Sequence, residues 1–179
     1  MTDVAAPPMD RKRWWKLPVT MPPRELTVLF RTALADDYPD ELWKALPRMP
    51  GEHLDVLAPC LRRDRRLKAR ILTAAHAEGG AAAMREAAEF LVFVGKSGSV
   101  PGALPRLKQL RPSKAFATSA VRVVLDQKRE PELGEIIPFW TLLWVATRAK
   151  PSVIDALEQR AKKWDCERVL ARVRRVVAR

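Results

Sequence analysis

Fifteen prolines set the limits within which this chain can fold. Proline has no backbone N–H, and its ring clashes with the preceding helical turn. It is therefore kept out of helix interiors and central strands but tolerated at helix starts and in turns. Five of the prolines, Pro7, Pro8, Pro18, Pro22 and Pro23, lie in residues 1–23 beside the adjacent Trp14 and Trp15. That density favours an extended path. It predicts an N-terminal arm over 1–23 that lies along a partner or along the chain's own body, with Trp14 and Trp15 as anchors. A disordered tail is the alternative.

Beyond the arm the apolar residues recur at helical spacing. Leu26, Leu29, Phe30, Ala33 and Leu34 follow the i, i+3, i+4, i+7, i+8 pattern of a one-sided helix, predicting a helix over 24–35. A second is predicted over 40–48, with Leu42, Ala45 and Leu46 inward. A third is placed over 60–78, opened by Pro59 and stopped by Gly79-Gly80, and a fourth over 81–94, closed by Gly95. Five more follow over 102–110, 113–128, 133–148, 152–163 and 165–178, and Pro101, Pro112, Pro131 and Pro151 stand at or just before helix starts. Residues 90–94 and 121–125 have strand-like composition, but neither alternates and both sit inside longer helical stretches. The expected fold is all-α. Short connections imply antiparallel helical hairpins stacked as a short right-handed solenoid or an irregular bundle, forming a single repeat-like domain over 24–179.

Charge is concentrated. The net charge is +12, yet residues 11–16, 62–70 and 160–179 carry +4, +5 and +6, leaving −3 on the other 144 residues. Basicity held on three short segments points to docking surfaces rather than to a general bias. Arg11, Arg13, Trp14 and Trp15 mark the arm. Arg62, Arg66 and Arg70 fall at i, i+4, i+8 on the predicted 60–78 helix. Arg168, Arg172, Arg175 and Arg179 fall at i, i+4, i+7, i+11 on the last. Such stripes suit the phosphates of RNA or DNA, or an acidic protein surface. A solvated helix face is the plain alternative.

The chemistry on offer is sparse. The chain has two His, one Tyr, two Cys, five Ser and no Asn. Cys60 and Cys166 have no other His or Cys near them at ligand spacing, so neither a zinc knuckle nor a disulfide framework is indicated, and two reduced thiols are expected. His53 and His76 lack metal-pair spacing. Gly95-Lys96-Ser97 resembles part of a phosphate loop, but the glycine needed five positions earlier is Phe90. The carboxylates Asp40, Glu41, Glu132, Glu135, Asp155 and Glu167 stand at helix beginnings, where they favour the helix dipole without serving an active site. No enzyme, cofactor or metal is expected. No secretory signal is visible in MTDVAAPPMD, and the apolar run 136–146 is too short to span a bilayer. An intracellular, reducing location follows as the expectation, cytoplasmic or on the mitochondrial matrix side.

Two units share a layout. Residues 25–49 (ELTVLFRTALADDYPDELWKALPRM) and 139–163 (FWTLLWVATRAKPSVIDALEQRAKK) each place a Thr before two aliphatic residues. Each then gives a helix, a turn and a second helix opened by Asp40-Glu41-Leu42 or Asp155-Ala156-Leu157. In this the chain resembles the pentatricopeptide/tetratricopeptide class of helical-hairpin repeats. RNA-reading members of that class place a small polar residue before the Thr, where Leu26 and Trp140 stand here, so the resemblance does not extend to base-specific reading. What it implies is a non-enzymatic accessory subunit of a large assembly, such as an ATP synthase, respiratory complex or ribosome. Its partner would be a larger complex with an acidic surface. The alternative is sequence-independent binding to an RNA or DNA backbone through the same basic faces.

Overall fold

Pro23 opens helix α1 (Pro23–Ala35), where its missing N–H removes no helical hydrogen bond. Leu26, Leu29, Phe30 and Ala33 make its buried face, as their spacing predicts. The computed structural model describes Trp14, residues 16–36, 38–96 and 113–126, and the helical positions 151, 152, 155, 156, 159 and 162. Among these residues every regular element is helical.

Helix α2 (Pro39–Ala45) again starts on a proline, with Asp40 and Glu41 in its first turn, and passes into a 3-10 turn (Leu46–Arg48). Helix α3 spans Gly51–Leu61. Here the structure departs from the pattern read in the sequence, in which Pro59 begins a helix running to residue 78. Pro59 lies inside α3, and the stripe Leu54, Leu57, Ala58, Leu61 runs straight through it into the core. The continuous burial of that stripe outweighs the hydrogen bond that Pro59 cannot make.

Helix α4 (Leu67–Lys96) is broken at Gly79 (φ −146°, ψ 20°) and Gly80 (φ 65°, ψ −158°). Gly80 takes a conformation open in practice only to glycine. The two limbs, 67–78 and 81–96, come back alongside each other, since Lys68 and Leu72 of one line a single cleft with Ala88, Leu91 and Val92 of the other. The predicted glycine stop is thus a chain reversal. Helix α5 (Lys114–Leu125) is capped by Ser113, whose hydroxyl accepts the Phe116 N–H at 3.2 Å and also hydrogen-bonds Glu86 of α4.

The core is continuous across these elements. Phe90 and Phe116 meet edge-on at 5.4 Å between α4 and α5. Gly79 fits closely against α5, where a Cβ at that position would stand 2.8 Å from Ala115 Cβ. Glu78 accepts Arg122 at 2.7 Å across the same interface. At the other end Trp14 stacks on Phe30 with centroids 6.2 Å apart, and it and Leu17 are buried. At these two positions residues 1–23 lie on the chain's own body. The predicted helices over 102–110, 133–148 and 165–178 lie outside the described residues.

Candidate docking surface

The basic candidates within the described residues, Arg62, Arg66 and Arg70, lie at the elbow between α3 and α4. Sequence periodicity places Arg62, Arg66 and Arg70 on one helical face. The structure corrects this: the helix breaks between them. Arg62 caps α3, residues 62–66 form the turn, and Arg70 sits in the first turn of α4. The break has a local cause. Asp64 Oδ1 accepts the Arg66 backbone N–H at 2.9 Å, a side-chain turn that competes with continued helix. The Asp64 N–H meanwhile donates to the Leu61 carbonyl at 2.9 Å, closing α3.

The same aspartate grips the Arg66 side chain. Arg66 Nε donates to both carboxylate oxygens at 3.0 and 2.9 Å, and Nη2 to Oδ2 at 2.5 Å. Partial burial pushes the Asp64 carboxyl up, but the Arg66 hydrogen bonds and charge outweigh it and hold the group below the usual carboxylate range. Hydrogen bonding to Asp64 in turn raises Arg66 above its ordinary value, with Asp40 adding a further attraction. The guanidinium lies over the Trp43 ring, 5.4 Å from its centroid.

The neighbouring arginines are held differently. Arg62, Arg63 and Arg65 are exposed, and none forms an ion pair among the described residues. Arg31, exposed on α1, extends the basic surface to the C-terminal end of α3. Desolvation raises the Cys60 thiol there, and the Arg31 charge and hydrogen bond partly counter it. The thiol donates to the Val56 carbonyl at 3.4 Å.

A cleft of about 180 Å³ adjoins this surface through Trp43. Leu46, Leu72, Ala88, Leu91 and Val92 form its apolar lining, and Asp40, Lys44 and Lys68 its polar rim. Sequence reading does not find it, because its lining comes from positions as far apart as 40 and 92.

The other sequence candidates fall elsewhere. Trp14 is only 3% exposed, so it anchors the chain's own core and offers no surface to a partner. Arg11, Arg13, Trp15, Arg168, Arg172, Arg175 and Arg179 lie outside the described residues. Gly95 and Lys96 stand at the end of α4, whereas a phosphate loop needs its Gly-Lys at a helix start, where the free N–H groups are. His76 pairs with Asp55 at 2.7 Å, tying α4 to α3. His53 is buried, and neither ring nitrogen has a hydrogen-bond partner among the described residues. Among the described residues no group of three His, Cys, Asp or Glu could hold a metal ion, and no helix is long and apolar enough to cross a membrane. No family model, curated protein or solved structure matches the chain.

Proposed function

We propose that this chain is a non-enzymatic accessory subunit of a large intracellular assembly, docking its α3–α4 elbow on an acidic surface of a partner protein. The observation that carries the reading is the split among the elbow arginines. Arg66 is fixed by Asp64 and Trp43, while Arg62, Arg63 and Arg65 beside it are exposed without an ion-pair partner among the described residues. Like charges packed into one turn repel one another, and a surface of opposite sign relieves that cost. The helical-repeat arrangement of hairpins belongs to the same reading, since stacked hairpins present long docking faces.

A second reading has an observation in its favour. The exposed cations of the elbow are all arginine, whose planar fork matches phosphate oxygens. In that case the same surface would hold RNA or DNA through its backbone, without reading sequence.

One experiment tests both. The tagged full-length chain is recovered from its own cells with and without nuclease treatment. A stoichiometric protein partner that survives nuclease supports the docking reading. Co-purifying material lost to nuclease supports the second. A chain recovered alone under both conditions overturns both.

A further inference from the structure

The cleft beside Trp43 has properties that the elbow charge alone does not require. Its volume of about 180 Å³ is below the roughly 300–1,000 Å³ of sites that enclose a small molecule or cofactor. Its floor is aliphatic, from Leu46, Leu72 and Leu91, and these side chains are each nearly buried, so the half-open cleft reaches the edge of the core. A space of that size suits one inserted side chain. Its charged lining has two lysines from different helices, Lys44 exposed on α2 and Lys68 half-buried on α4, against the single acid Asp40. Arg66 over Trp43 adds no net charge to the rim, because Asp64 neutralises it. The mouth is therefore positive above an apolar floor.

From this geometry we infer that the cleft is an anchor pocket for a partner protein segment. One large apolar side chain of that segment, Leu, Ile, Met or Phe, fills the cleft, and an Asp or Glu within a few residues of it meets Lys44 and Lys68. Deep apolar anchors ringed by charges of complementary sign are where binding energy concentrates in protein interfaces. The inference rests on the docking reading of the elbow and gives its partner a recognisable motif. The elbow arginines supply the long-range attraction. The cleft supplies the specificity, because an apolar anchor without the carboxylate, or the carboxylate without the anchor, satisfies only half of it.

The test uses photo-crosslinking from the full-length chain in its own cells. A photoreactive amino acid is placed separately at Val92 in the cleft, at Lys44 on its exposed rim, and at Arg63 on the elbow, and the crosslinked peptides are sequenced. The expected result is that Val92 and Lys44 capture one short segment of another protein containing a large apolar residue with an Asp or Glu close by. Reversing the rim with Lys44→Glu and Lys68→Glu, in a chain whose circular dichroism is unchanged, should cut the Val92 adduct by about tenfold. If Arg63 captures a protein partner while Val92 and Lys44 capture none, the docking reading stands and the anchor pocket is overturned. A captured segment lacking an acid, a segment of this same chain, or a nucleic acid at Val92 overturns it equally. If none of the three positions captures another protein, the docking reading itself fails.

Discussion

The Arg66 guanidinium lies 5.4 Å from the centre of the Trp43 ring while the Asp64 carboxylate holds it through Nε and Nη2. This pairing joins the α3–α4 elbow to the cleft beside α2. It also separates one paired arginine from three neighbours that form no ion pair among the described residues. The behaviour of Asp64 is therefore a direct probe of how the elbow is built.

Replacing Asp64 with Asn should leave Arg66 without its charged partner and lower the unfolding free energy by about 1 kcal/mol, measured by urea at neutral pH. The pH dependence has a definite sign. Because the folded-state carboxyl is held below its ordinary value, its contribution is fully present above the unfolded carboxylate range. It should fade as pH falls below about 4 and through the lowered folded value. The Asn variant should lack this part of the acid-induced loss.

The reversal in α4 gives a paired prediction. A Cβ at Gly79 would stand 2.7 Å from Ala83 Cβ and 2.8 Å from Ala115 Cβ, so Gly79→Ala must displace α5. Gly80 has open space around it but a φ of +65°, so Gly80→Ala is strained without a clash. Each should cost about 1–3 kcal/mol in urea unfolding. Only Gly79→Ala should also change the methyl NMR shifts of α5, at Ala117 and Ala120.

The glycine pair was readable in the sequence because its effect is local, and so was the α1 stripe from Leu26 to Ala33. The elbow was not. Cys60, Leu67, Ile71 and Ala74 keep helical spacing across the charged gap at 62–66, and that spacing does not reveal that Asp64 hydrogen-bonds Arg66 and stops the helix. Pro59 misleads for a related reason: its preference for helix starts is real, but Leu54, Leu57 and Leu61 bury one stripe across it. The concentration of charge at 62–70 was visible, whereas the cleft depends on α2 meeting both limbs of α4, a long-range relationship that no local pattern encodes.

Buried His53 carries two ring nitrogens with no hydrogen-bond partner among the described residues. Its position, four and eight residues before Leu57 and Leu61, is the sequence signal that it faces the core. His53→Leu removes an unsatisfied polar group at similar volume. It should raise the urea midpoint, by about 1 kcal/mol of unfolding free energy, with an unchanged denaturant slope.

Cys60 should react slowly. Burial raises its thiol, so less thiolate is present at a given pH than in free cysteine. In a Cys166→Ser background, alkylation at about pH 8 should run more slowly than that of a free cysteine peptide. Arg31→Ala should slow it further, because Arg31 is the group that favours the thiolate.

The central claim is that the exposed elbow arginines hold a protein partner. It is tested most directly by recovering the full-length chain from its own cells with Arg62, Arg63 and Arg65 all changed to Glu, after nuclease treatment. These side chains are exposed, so the variant should keep the circular dichroism and thermal unfolding of the parent. The predicted result is that the protein partner recovered with the parent chain is lost from the variant. Recovery of that partner in undiminished amount with the folded triple variant would contradict the account.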